Sequence, residues 1–152
     1  MAQTTIYQYG AAAFAGLMDG VSNPRSIRSY AAEEAIPLAY PVKLGTNPEK
    51  EVLKATAGAG VIGFAVHDHV REQASNGAVQ FGITETVNVL TQGRFWAPTS
   101  DAVVAGATAN LTVADGTLTD ASVTAGIEAF TQISVTFITG TTGAGLALVE
   151  VK

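Results

Sequence analysis

The chain has 152 residues, 47% of them hydrophobic and only 14% charged, with a formal net charge of −5. That length suits one domain with a real core, and the acidic balance, with no Lys or Arg between Phe95 and Val151, argues against phosphate backbones and anionic membrane surfaces as partners. The absence of cysteine excludes disulfides and thiolate metal sites, and no apolar run approaches the roughly 18 residues that span a bilayer.

Residues 1–36 read as an N-terminal arm. Ile6, Tyr7, Tyr9, Phe14, Leu17 and Met18 recur at neither helical nor strand spacing. A segment this apolar and aperiodic cannot bury its own surface, so it should lie against the rest of the chain, a neighbouring copy or a larger partner. Residues 11–18 hold good helix formers, but Gly10 and Gly16 bracket them and so short a helix is marginal. Residues 30–35 predict one or two helical turns, stopped by Pro37, which pushes Ile36 to extended geometry. No basic region followed by a continuous apolar stretch opens the chain, so no secretory signal is expected.

From residue 37 to 152 the pattern is that of an all-β domain. Strands are expected at 41–45, 51–56 and, most strongly, at 61–66, a run of β-branched and aromatic residues. Residues 67–82 read as a polar turn or long loop around Ser75-Asn76-Gly77. Residues 84–91 alternate as a strand, Gln92-Gly93 punctuates them, and the pattern resumes at Arg94, which predicts a tight hairpin or a bulge between Leu90 and Phe95. Residues 101–106 form a short piece ending in a turn. Residues 109–113 and 117–119 should pair across the turn signal Ala114-Asp115-Gly116. Alternation over 132–138 places Ile133, Val135 and Phe137 on one face, and residues 146–151 close the chain. Many short strands at close spacing indicate a small barrel or sandwich.

Few residues suggest chemistry. Gly58-Ala-Gly-Val-Ile-Gly63 fits the dinucleotide-binding spacing, but that site needs the motif to open a helix with an acid about 20 positions on. Here it leads into a β-branched strand, so a flexible turn is the reading. On a strand, His67 and His69 of His67-Asp68-His69 would face one side and share a metal if Glu72 or Glu85 joined them; a polar strand end entering a loop is the simpler account. Asn110-Leu-Thr112 is a glycosylation sequon by pattern only. Trp96 suits either an interface anchor or a half-buried core position. Arg25 and Arg28, the only basic pair of the arm, would meet acidic surface on a partner or stand in solvent. No nucleophile elbow, P-loop or paired-carboxylate constellation is visible, so no catalytic residue, cofactor or small-molecule substrate is expected.

The order of the pieces resembles the structural cement, or capsid decoration, proteins of tailed bacteriophages. In the arm the matching features are Ala15-Gly-Leu-Met-Asp19, Ile27-Arg-Ser29 and Glu34-Ala-Ile-Pro37, followed by Pro41-Val-Lys-Leu-Gly45. In the body they are Gly63-Phe-Ala-Val-His-Asp-His69, Val87-Asn-Val-Leu-Thr-Gln-Gly-Arg-Phe-Trp-Ala97, Asp115-Gly-Thr-Leu118 and Gly143-Ala-Gly-Leu-Ala-Leu-Val149. One departure is Leu38-Ala39-Tyr40, which stands where a small glycine-containing turn is expected. The resemblance implies a small β domain, typically trimeric, on the outer face of an icosahedral head, clamping neighbouring major capsid protein subunits. It further implies a virion protein made in the host cytoplasm, with the major capsid protein and its own copies as partners and neither nucleic acid nor membrane among them. On this reading Tyr7, Tyr9, Phe14, Leu17 and Met18 are the arm's anchors, and Arg25 and Arg28 its polar tethers. The alternatives are a carbohydrate- or receptor-binding β module of a virion appendage and a metal-dependent enzyme built on His67 and His69.

Overall fold

The computed structural model of the protein describes residues 13–19, 25–67 and 79–152. Among these there are twelve strands and no helix. In chain order they are β1 (Ser26–Ala32), β2 (Ile36–Pro37), β3 (Pro41–Leu44), β4 (Glu51–Lys54), β5 (Val61–Val66), β6 (Gln80–Phe81) and β7 (Thr86–Thr99). The set continues with β8 (Asn110–Thr112), β9 (Leu118–Thr119), β10 (Ile127–Glu128), β11 (Val135–Phe137) and β12 (Gly145–Val151).

Strands β1, β4, β3, β5 and β7 follow one another in space, and β7 pairs back onto β1, so the five close into a barrel. Every seam is antiparallel except the short parallel one between β1 and β4. Closure leaves few backbone edges exposed, which is how small all-β domains avoid edge pairing. Ala32, Ile36, Val42, Val52, Ala65, Phe81, Val87 and Val89 form the core associated with the barrel. The remaining strands extend the second half of β7. There β12 pairs with it along Gly93–Thr99, β11 pairs with β12, and β9 meets β7 at Thr99 and carries β8 and β10. This part has its own core, which includes Phe64, Leu90, Phe95, Leu118, Phe137 and Val149.

Strands β5 and β7 are shared by both cores. Phe64 and Val66 point to one core and Ala65 to the other; on β7, Leu90 goes one way and Val87 and Val89 the other. The two strands therefore form a partition that is apolar on both faces, which explains why residues 61–66 read as an unbroken hydrophobic run rather than an alternating one. Gly63 permits their close approach, since an added Cβ would sit 2.3 Å from the Leu90 carbonyl oxygen.

The expected break between Leu90 and Phe95 is a bulge, not a hairpin. The partners shift from Ser26↔Gln92 to Ile27↔Leu90, leaving Thr91 as the extra residue, and β7 runs on through all 14 of its residues. A two-residue hairpin of the favoured type needs positive φ at both central positions; only Gly93 has it, at 133°. At Gly93 the strand passes from its barrel neighbours to β12.

Residues 26–36, on the arm side of the expected boundary, form β1 and β2. The helical turns expected at 30–35 are absent: Tyr30 and Ala31 pair with Val87 and Thr86, and Ala32 with Val52. Tertiary pairing overrides the helix preference of Ala and Glu here, because it buries Ala32 in the barrel core. Ile36 is extended as its proline predicts and pairs with Phe81. The departure at Leu38-Ala39-Tyr40 proves to be a turn all the same. Ala39 takes a φ of 63°, the region glycine favours, and is held by its N–H donating to the Ala65 carbonyl at 2.7 Å. Residues 101–106 form no strand beyond a pairing of Val103 with Thr141. The turn at 114–116 joins β8 to β9 as expected, and Val135 and Phe137 are buried together with Ile133 packed beside them.

Candidate docking surface

Residues 13–19 lie along β7 as an added, irregular strand. The Gly16 N–H donates to the Trp96 carbonyl at 2.8 Å, the Trp96 N–H to the Leu17 carbonyl at 2.9 Å, and the Asp19 N–H to the Arg94 carbonyl at 3.0 Å. Met18 pairs antiparallel with Phe95. The segment thus occupies the stretch of β7 between those paired with β1 and with β9. No helix forms because Gly16 takes a φ of 84°. An added Cβ there would lie 3.1 Å from Leu38 Cβ, a tight contact on top of the backbone strain.

The anchors expected in this segment divide. Met18, with Ala15, packs against the core on the β12 side, and Leu17 is half-buried. Phe14 remains 40% exposed. Its ring meets His67 edge-on, with centroids 4.8 Å apart, at a cavity of about 480 Å³ that Pro37, Leu38 and Val79 also line. Tyr7 and Tyr9 lie outside the described residues. Arg25 and Arg28 are exposed and make no ion pair among the described residues.

The chemically suggestive motifs resolve differently. Residues 58–60 turn into β5, a strand that holds the rest of the motif, and the Gly58 N–H donates to Glu128 Oε2 at 2.7 Å. His67 follows β5 directly, with its N–H donating to the Gly16 carbonyl at 2.9 Å; Asp68, His69 and Glu72 lie outside the described residues. Among the described residues no group of three or more His, Asp or Glu is placed to hold a metal ion. Trp96 is half-buried on β7 beside Leu148. Asn110 of the sequon pattern is only partly exposed, and its side-chain amide donates to the Ala121 carbonyl at 2.9 Å.

Two further surfaces escaped sequence reasoning. At one end of the β11–β12 pair, residues 103–105 and 140–145 meet in a patch whose lining residues carry no charge, with Val104 67% exposed and the Asp120 carboxylate accepting from its N–H. At the other end the barrel opens beside Arg28, Tyr30 and Lys152. Neither has a local signature, because each depends on strand pairings between residues distant in the chain.

Tyr40 covers the 114–116 turn, where a Cβ on Gly116 would strike its ring. Burial first, then the nearby charges of Asp115 and Glu34, raise its pKa above the ordinary 10.0. The folded protein therefore holds this proton more tightly than the unfolded chain does. The contribution is fully present below the unfolded value and is lost as pH rises through the folded one. We expect the urea midpoint to fall as pH rises above about 10, and Tyr40→Phe to remove that part of the fall. An unchanged alkaline profile in the variant would show that another group carries it.

The described surface offers apolar patches on a closed barrel with added strands, and the fold is all-β. The chain belongs to the structural cement protein family described by E217 gp24 and Pam3 gp6, whose model matches residues 2–152. Among solved structures it is similar to a chain from the capsid of Myoviridae phage XM1. That likeness has 15% sequence identity, covers 98% of this chain and 96% of that one, and gives a TM-score of 0.67. At that identity it speaks for the fold alone. No curated protein matches the sequence. Membership of a structural, non-catalytic class gives the protein a capsid-associated structural role.

Proposed function

We propose that this protein decorates the outer face of a phage head and stabilises contacts between major capsid protein subunits. It does so as a homotrimer, made in the host cytoplasm and assembled onto the virion. The observation that carries this reading is the family match over residues 2–152. A trimer presents three copies of each docking element, so contacts that are weak singly combine into high avidity. The organisation we propose is an N-terminal arm, residues 1–36, whose last part is built into the fold as β1 and the start of β2, ahead of a β body, residues 37–152. Tyr7, Tyr9, Phe14, Leu17 and Met18 are its anchors, and Arg25 and Arg28 its polar tethers. The exposure of Phe14 and the unpaired state of the two arginines among the described residues support those assignments. Met18 contributes indirectly, by pinning the segment to β7 so that Phe14 is presented outward.

The test is sedimentation of purified protein with expanded and unexpanded capsids, together with light scattering of the free protein. Saturable binding to expanded shells and a mass of three chains are expected. Absence of co-sedimentation would refute the capsid reading, and a free monomer at working concentration would refute the trimer.

A further inference from the structure

The open mouth of the barrel combines an exposed arginine with aliphatic side chains. Arg28 and Tyr30 stand opposite Val89 and Val87 on β1. Directly paired residues share a face, so both side chains project from the lining of the barrel toward its open end. Leu44, Ile62 and Ile133 supply an apolar floor, and Thr91, Gln132 and Lys152 the rim, of a cavity of about 360 Å³. Part of that floor is open to solvent, since Leu44 is 41% exposed.

Charge is concentrated at the same corner. Arg94 and Lys152 share one carboxylate, that of Glu150, at 3.5 Å each. Arg28 has no ion-pair partner among the described residues, and neither has Arg25, which lies against Gly93. On a chain of net charge −5, this cavity is lined by two cations, Arg28 and Lys152, and by no carboxylate, and of the two only Lys152 is paired among the described residues. An arginine beside an aliphatic floor matches a carboxylate and a branched apolar side chain two positions apart, which an extended chain presents on one face. The guanidinium takes the carboxylate by paired hydrogen bonds, and the floor takes the hydrocarbon.

We propose that this mouth docks an extended segment of another protein in which an acidic residue stands two positions from an aliphatic one. The inference rests on the reading that the protein works by binding a protein partner, and it assigns Arg28 to a specific pocket rather than to a general acidic surface. The probe is an acetylated hexapeptide, Val-Thr-Glu-Thr-Val-Thr, which presents valine and glutamate on one face, titrated into the full-length, isotope-labelled protein and followed by amide NMR shifts. We expect saturable changes centred on Arg28, Tyr30, Ile62, Gln132 and Ile133. Arg28→Glu should weaken them at least tenfold, and the same peptide with lysine in place of glutamate should produce none. Arg28→Gln serves as a second variant and should weaken binding less than Arg28→Glu does, with thermal melting as the check that both fold. Shifts elsewhere, no saturation, or equal binding by the folded variants would overturn the proposal. Peptide binding without capsid co-sedimentation would leave the pocket standing and remove the capsid reading; co-sedimentation without peptide binding would do the reverse.

Discussion

Deletion of residues 1–30 is expected to unfold the protein, whereas deletion of residues 1–12 is expected to leave it folded. The longer truncation removes most of β1, the strand that closes the barrel against β7. The rows from Ser26↔Gln92 to Tyr30↔Val87 are lost, and with them the cover over Val87 and Val89 in the barrel core. Each backbone hydrogen bond contributes about 1 kcal/mol net, and the exposed apolar wall adds about 25 cal/mol per Å². Domains of this kind have only about 5–15 kcal/mol in total, so losing a closing strand removes most of the margin. Circular dichroism and urea denaturation decide the matter. A cooperative transition retained by the 1–30 deletion would contradict the closed barrel. The 1–12 deletion spares every described contact, and on our reading it loses capsid binding because Tyr7 and Tyr9 go with it.

Phe64→Ala is expected to cost about 3–5 kcal/mol, the range for truncating a fully buried phenylalanine. Phe64 is wholly buried, with its ring 4.8 Å from that of Phe95 and 5.7 Å from that of Phe130. Its removal leaves a cavity against the partition formed by β5 and β7, where neighbours are held by hydrogen bonds on both sides and cannot collapse inward. Equilibrium urea denaturation measures the loss. Ile83→Ser, at a position 65% exposed, serves as a control and should stay within about 0.5 kcal/mol of the parent. A Phe64→Ala loss below about 1 kcal/mol would mean that the two cores are not packed as described.

Much of the fold could be read from local pattern. The β class, the run at 61–66, the turn at 114–116 and the shared face of Val135 and Phe137 all follow from alternation and turn chemistry. What could not be read was pairing at a distance. Nothing local announces that Tyr30 will meet Val87, so alanine and glutamate at 31–35 suggest helix while the barrel seam enforces strand. Gln92-Gly93 carries the composition of a hairpin, but only one of the two residues takes positive φ, and the chain bulges instead of turning back. The Leu38-Ala39-Tyr40 departure looked like a lost glycine turn; the turn persists with Ala39 in the glycine region.

The arm shows the same division. Its apolar residues do need an environment other than themselves. For Ala15 and Met18 that environment is the chain's own body, which weakens the inference from stickiness alone to a partner molecule. For Phe14 it is only partly so. The assembly reading accordingly rests on family membership rather than on the composition of the arm.

The shared partition has a consequence for how the chain finds its alignment. In an ordinary half-buried strand, sliding by one position throws greasy groups into water, and that penalty polices the arrangement. Here both sides are dry, so solvent cannot tell right from wrong. Bulk has to do it: the benzyl group of Phe64 fits one compartment and the methyl group of Ala65 the other, while the bare Gly63 admits a neighbouring carbonyl that no other residue would tolerate. Correct threading of this wall is thus a matter of size rather than polarity.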